Sequence, residues 1–476
     1  MPNVNANIIY SQFDFSRLGH REQINLMDIY YNNNDLYEAT RLLKYYLGVW
    51  NENIRPLRTP VNRSVEFYVS KIAIGEPVLA VANKNTVVAD AIKRVMEWSN
   101  FQIQKPQRIR TMSLYGDLFC KAMADREKTW HEALETRDVT DFKEDNRGFL
   151  TEIRIDTPIV EDDVQKTRTE FWTVNALVPY MAVWVHTLDE NTTLDQLGDP
   201  VEFAPLTAFG IDFIPFVRSS FKKGTGQWGA NCVEHALLKV DEANRQATRL
   251  HQMLFRYNKP LWAVSANAKA EDGSPMPAPK VKVSGNSGGN SGKDMEVRDD
   301  TILYLDGEAK LDSLIPDIRY EEALKILQSQ EKELEKDLPE LLYYSLPEQA
   351  DLSGKAIQNL LGAAVDRVNQ AQSNFSEGTI RLNQMCLTLG QFQGIFPSTL
   401  GSFDAGDFAH SITFGEPFPQ DNSEKATTLQ VYVNALGSIN IKVAMELAGF
   451  SQEIIDRVKE PQPVNIGSTG QPNTVP

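Results

Sequence analysis

Gly224, Gly226 and Gly229 stand in the run GTGQWG, the glycine spacing that lets backbone amides approach a dinucleotide pyrophosphate. The run also lies between a strand-like segment and a helical one. A nucleotide fold further needs the helix to return into a parallel strand that ends in an acidic residue for the ribose. Here the helical pattern continues to Pro260 and βαβ alternation is absent, so the spacing reads as a flexible turn before a long helix. Gly285, Ser287 and Gly289 spell a nucleophile elbow, but this Ser sits in a Gly/Asn/Ser repeat and not where a buried strand turns into a helix. Gly292 and Lys293 spell no phosphate loop, because the glycine needed five places earlier is Ser287 and the next residue is Asp294. Asp141, Asp145, Asn146 and Gly148 suggest a calcium loop, yet counting back from Gly148 puts Lys143 where the first carboxylate must stand. His20, His131, His186, His235, His251 and His410 show no paired ligand spacing. Cys120, Cys232 and Cys386 lie too far apart for a metal site or a disulfide framework, which points to a reducing cytoplasm. No catalytic, cofactor or metal residues emerge, and the chain reads as a non-enzyme.

The elements that would position any such residue follow from apolar periodicity. Between Arg21 and Trp50 the pattern predicts two helices broken at 32–35. A third carries Val61, Val65, Tyr68 and Ile72, followed by a strand over Val78–Ala82 and a helix capped by Thr86 with Val88, Ile92, Val95 and Met96. From 117 to 185, short runs rich in β-branched and aromatic residues predict an antiparallel sheet, which IDFIPFVRSSF at 211–221 closes. Val233, Ala236, Leu237, Val240, Ala243, Ala247, Leu250 and Leu254 form an apolar stripe on a rod over 231–258, about 40 Å long. Strand-like LWAVSA and TILYLD then flank PMPAPKVKVSGNSGGNSGK, which reads as a mobile tip. A second rod spans Ile318–Leu338 with Tyr320, Leu324, Leu327 and Leu334. Ser353 offers a cap to a helix running towards Leu389, with Ile357, Leu360, Leu361, Ala364, Val368, Ala371 and Phe375 in register and a possible kink at Gly378. A strand near Ser411–Phe414, a helix over Asp421–Leu436 and a helical hairpin to Lys459 precede a Pro/Gly/Asn tail expected to be disordered.

At 476 residues the chain exceeds one compact core, and its 42% hydrophobic and 24% charged residues are those of an ordinary globular protein. Lys and Arg total 48 against 64 Asp and Glu, a formal charge of −16 whose field repels polyanions. Tight wrapping of DNA is not expected, whereas a wall past which DNA slides gains from lacking cationic brakes. The N-terminus lacks a basic region before an apolar core, and the most apolar run, 176–185, is about half the length of a membrane span. Neither secretion by such a signal nor a membrane is expected.

The order of elements, two rods flanking a tip-like insertion after an α+β module and before a long helix, resembles the tailed-bacteriophage portal family (head-to-tail connectors). IPFVRSSFKKGTGQWGANCVEHALLKVDEANRQATRL at 214–250 resembles that family's strand, loop and first stem helix, and NKPLWAVSA its passage into the clip. LYLDGEAKLDSLIPDIRYEEALKILQSQ resembles the return into a second stem helix. LSGKAIQNLLGAAVDRVNQAQSNF at 352–375 carries a Ser-Gly-x-Ala pattern at the head of the long helix, and FYVSKIAIGEPVLAV and SLYGDLFCKAMAD resemble the N-terminal portion.

The resemblance implies an α+β, largely helical fold with portal-like wing, stem, clip and crown. Its parts would be a wing over 1–230, a first stem helix over 231–259, a clip over 260–316 and a second stem helix over 317–340. A tunnel loop over 341–352, a long wing helix and strand over 353–420, crown-like helices over 421–460 and a disordered tail over 461–476 would follow. It further implies a homo-oligomeric ring of about twelve subunits at one capsid vertex, assembled in the host bacterial cytoplasm and kept in the virion. Double-stranded DNA would pass through it without sequence specificity during packaging and ejection. Expected partners are the terminase large subunit, a head-tail adaptor, and the major capsid and scaffolding proteins, whose head assembly the ring would nucleate. Ser345, Glu348, Gln349 and Asp351 would face the DNA, and Val233, Leu237, Val240, Ala247, Leu250 and Leu254 would pack the stem. Trp262, Lys280, Lys282 and Arg298 would serve docking on the clip. The alternatives are another helical virion scaffold or adaptor and, behind it, a nucleotide-binding enzyme resting on GTGQWG.

Overall fold

The computed structural model describes residues 19–32, 60–81, 85–161, 163–187, 192–224, 226–240, 242–244, 246–247, 250, 262–265, 282–283, 303–304, 310–313, 320–345, 359–417, 422–436, 441–448 and 455. Among the described residues the first elements are α1 (His20–Tyr31), α2 (Pro60–Lys71), β1 (Ile74–Val81), α3 (Thr86–Trp98) and α4 (Phe101–Tyr115). Pro60 opens α2, where its fixed φ suits a first turn and its missing N–H costs nothing. Thr86 does not cap α3. Asn85 does, its Oδ1 accepting the N–H of Val87 at 3.1 Å and of Val88 at 3.4 Å, and the helix buries the expected Val88, Ile92, Val95 and Met96. The sequence pattern gave no sign of α4, because its buried face mixes Phe101, Ile109 and Met112 with Lys105, Arg108 and Ser113. That mixture erases the apolar period, and Pro106 inside the helix argues against it as well.

Strands β2 (Asp117–Ala124), β3 (Thr129–Ala133), β4 (Val139–Glu144), β5 (Leu150–Glu161), β6 (Val164–Thr173), β7 (Tyr180–His186), β8 (Glu202–Pro205) and β9 (Phe216–Ser220) follow. β4 to β8 form a five-stranded antiparallel meander in sequence order. Its longest ladder runs from Glu152↔Thr173 to Glu161↔Val164. Only two residues close that hairpin, and Asp163 takes the left-handed backbone (φ 60°) that such a tight turn demands.

After a 3-10 turn at Glu234–Ala236, residues 237–240, 242–244, 246–247 and 250 are helical. Then come β10 (Trp262–Ser265), β11 (Lys282–Val283), β12 (Leu303–Tyr304), β13 (Lys310–Ser313), α5 (Tyr320–Asp337), α6 (Leu342–Ser345), α7 (Gly362–Phe392), β14 (His410–Gly415), α8 (Asn422–Leu436) and α9 (Ile441–Leu447). The expectation of a largely helical, portal-like architecture is corrected here, since the five-stranded meander and the further antiparallel sheets give the molecule a substantial β component. Short alternating strands in 117–220 each leave a faint signal, and in the sequence the helical stripes overshadow them.

Two compact units divide the chain. The first holds residues 1–67, 110–120 and 133–341. Its core includes Ile24, Met27 and Tyr30 of α1 together with Ile153, Trp172 and Val183 of the meander. The second holds 68–109, 121–132 and 342–476. There β1 pairs with β14, from Ile74↔Gly415 to Val81↔His410, with an irregularity before Val78 where Pro77 cannot donate. α7 packs on β14 and α3, burying Ala364, Val368, Ala371 and Phe375 as expected, while Leu360 is exposed. α7 continues unbroken through Gly378. The Ser353 cap, the C-terminal tail and the second helix expected before Trp50 lie outside the described residues.

Candidate functional site

The contacts described for the glycine run lie in the first unit. Lys222 and Ala230 form a β-bridge that closes the loop. The Gly229 N–H donates to Asp117 Oδ2 at 2.6 Å. Arg218 grips the same carboxylate with Nε at 2.8 Å and Nη2 at 3.2 Å, and reaches Glu144 with Nη1 at 3.1 Å. Burial pushes the Asp117 carboxyl up, and Arg218 and the Gly229 amide pull it back. Burial lowers the Arg218 guanidinium, but Asp117 and Glu144 outweigh it and hold the group above its ordinary value. Gln227 Nε2 donates to the Phe142 carbonyl at 2.5 Å and to Asp141 at 2.8 Å. Trp228 lies flat on His20, with ring centroids 3.3 Å apart, and meets the edges of Phe119 and Phe142. Burial holds His20 down at about 4.

GTGQWG is therefore an anchored loop and not the flexible turn expected from its composition. Gly224 and Gly229 serve close backbone packing. A Cβ on Gly224 would strike the Trp228 carbonyl, and one on Gly229 would meet Asp117 and the Gly116 carbonyl at 2.7 Å. A phosphate would have to displace Asp117 from the Gly229 amide. Among the described residues no group of three or more His, Cys, Asp or Glu could hold a metal ion. The stretch rejected as a calcium loop holds the β4–β5 turn, with Asp145 accepting the N–H of Arg147 and Phe149.

From this loop the chain enters the first expected rod. Asn231 Oδ1 accepts the Val233 N–H at 3.0 Å and starts the 3-10 turn. His235 Nε2 lies 2.9 Å from the Asp337 carbonyl, and Lys239 pairs with the Asp337 carboxylate at 2.5 Å, so the start of the first helical segment meets the end of α5. Between these helical segments in the sequence, β10 and β13 pair antiparallel from Trp262↔Ser313 to Ser265↔Lys310, and β11 pairs with β12 in the stretch that they enclose. In chain order these two antiparallel pairs stand between the first helical segment and α5. LWAVSA is a strand as expected, but its partner is Lys310–Ser313. TILYLD contributes Leu303–Tyr304 to the inner pair instead.

The residues expected to pack between subunits fall as follows. Val233, Leu237, Val240 and Ala247 are buried within their own chain, and Leu250 is helical and half-buried. Among the described residues, Leu238 (54% exposed), Leu324 (49%) and Ile326 (55%) are the large apolar side chains that these two helical segments leave open. Trp262 stands at the first position of β10 and Lys282 in β11, while Ser345 ends α6. Leu254, Lys280, Arg298, Glu348, Gln349 and Asp351 lie outside the described residues, as does most of the stretch read as a mobile tip. Sequence reasoning missed the Asp117–Arg218 anchor, whose members are 101 residues apart. The one available signal was a glycine-dense loop beside a lone Arg in an apolar strand.

No helix among the described residues is long and apolar enough to cross a membrane. No family model and no curated protein matches the chain. One solved structure, the neck of a native GTA particle computed with C12 symmetry, contains a chain that aligns with 82% of this one and 89% of its own length. Identity is 12% and the TM-score 0.35. A likeness at that level carries no argument about fold or function.

Proposed function

We propose that this chain is a portal subunit of a tailed bacteriophage, a structural virion protein that closes with its own copies into a ring through which DNA is packaged and ejected. The observation that carries the reading is an order of elements in the first unit, a helical segment, then two nested antiparallel β pairs, then α5, whose end meets the start of that helical segment. That order agrees with the phrases by which the sequence resembles the portal family. The formal charge of −16 suits a conduit that must not hold phosphate. Leu238, Leu324 and Ile326 offer apolar surface to a neighbouring subunit.

In this reading the protein is not an enzyme, and the Gly229 amide already committed to Asp117 supports that. The stretch holding these β pairs docks the terminase large subunit and later a head-tail adaptor, and other surfaces meet the capsid and scaffolding proteins. Glu348, Gln349 and Asp351 face the DNA. Replacing residues 266–309 by a short turn tests the docking assignment. The shortened chain is expected to assemble like the full one and to lose its cognate adaptor in a pull-down, and full adaptor binding by it would contradict the assignment.

A further inference from the structure

Inside the second unit, polar side chains that a core normally excludes stand in a row. Arg108 on α4 is 2% exposed. Among the described residues its partners are the His131 ring, with Nη1 2.7 Å from Nδ1, the His131 carbonyl at 2.8 Å from Nη2, and the face of Phe101. A guanidinium can only donate, so His131 Nδ1 accepts and the ring proton sits on Nε2. At the other end His410 Nδ1 lies 2.9 Å from the Phe408 carbonyl, which can only accept. His410 is therefore protonated at Nδ1, and its Nε2 accepts from Asn383 Nδ2 at 3.3 Å. That orientation turns Asn383 Oδ1 the other way. Asn383 Oδ1 and His131 Nε2 are both buried and neither makes a hydrogen bond, while the Asn383 side chain is near enough to the His131 ring to favour a proton on it. Pairing them completes the row with every donor pointing in one direction.

We propose that Arg108, His131, Asn383 and His410 form a one-way hydrogen-bond relay ending on the Phe408 carbonyl, a latch that joins α4, β3, α7 and β14 only while both imidazoles are neutral and of opposite tautomer. A proton added to His410 Nε2 faces the Asn383 amide N–H. Turning Asn383 relieves that clash and creates another at His131 Nε2–H. Turning the His131 tautomer sets its proton against Arg108, which cannot yield one. The four groups therefore switch together.

The surrounding charges divide along the relay. Glu377 on α7 favours a proton on His410, while Arg108 opposes one on His131. β1, the partner of β14, carries Glu76 towards the Gly415 end and not beside His410, and Lys105 of α4 lies over Phe414 near that same end. Burial opposes protonation of both rings and holds each below the ordinary histidine value.

Magic-angle-spinning 15N spectra of the full chain labelled at histidine test the relay, the two rings being identified through their preceding residues, Trp130 and Ala409. At pH 7 both rings are expected to be neutral, His131 as the Nε2–H form and His410 as the Nδ1–H form. On acidification the cationic His410 signal is expected to appear together with the loss of the His131 Nε2–H signal. Asn383→Asp puts an acceptor-only carboxylate at the centre, and there His410 is expected to bind its proton at least about tenfold more tightly. The same tautomer on both rings in the unmodified chain, independent titration, or an unchanged His410 in a folded N383D chain would each overturn the proposal. The first two readings do not depend on any variant folding.

Discussion

Arg218 and Arg108 are both taken out of water, one in each unit, and their surroundings differ in kind. Arg218 is gripped by Asp117, whose side chain is 0% exposed, and by Glu144. Arg108 meets an imidazole nitrogen, a carbonyl and a ring face. A carboxylate fixes a buried cation whatever the tautomers nearby do. Neutral acceptors fix it only while their own protons are in the right place. The first arrangement suits an anchor under a packed loop, and the second suits a latch that can be undone.

Removing each cation separates the two designs most sharply. Arg218→Met leaves Asp117 buried without its counter-charge and is expected to cost about 3–5 kcal/mol in denaturant unfolding. Arg108→Met strands no carboxylate and is expected to cost about 1–3 kcal/mol, so equal losses would break the comparison. Acid comes next. His20, His131 and His410 all titrate below the ordinary histidine value when folded. The unfolded chain therefore binds more protons below about pH 6.5, and stability is lost as pH falls from there towards the folded values. His20 alone, held at about 4, is expected to account for about 2–3 kcal/mol of that loss. A stability curve flat from pH 7 to 4 would contradict it.

Within the anchored loop, Gly229→Ala forces a Cβ against Gly116 and Asp117 and is expected to cost about 1–3 kcal/mol. Gly226→Ala meets nothing within 4 Å and should stay within about 0.5 kcal/mol. If the motif held a nucleotide, thermal shift on adding one would depend on Gly226, whereas no shift is expected in either chain. The smallest effect belongs to Lys239→Ala, which removes an exposed partner of Asp337 and is expected to leave the unfolding midpoint unchanged.

These same regions show where sequence was readable. α3 and α7 were legible because Val88, Ile92, Val95 and then Ala364, Val368, Ala371, Phe375 repeat at helical spacing with one buried face. The strands from Asp117 to His186 were legible from their β-branched and aromatic runs. α4 was not, because Arg108 and Lys105 sit on its buried side, and a buried charge looks like a surface one until its partner is known. β13 was hidden for a related reason: Lys310 and Asp312 make a short strand look like a loop. Glycine spacing located the loop at 224–229 but misjudged its rigidity, since Asp117, Gln227 and Trp228 hold it through contacts with residues that local spacing cannot reveal. The relay was invisible for the same reason, its four members being spread from 108 to 410.

Electron microscopy of the purified full-length chain tests the portal assignment most directly. The account predicts closed rings of about twelve subunits around a central hole. Particles that stay monomeric at high protein concentration, or that assemble without a hole, would contradict it.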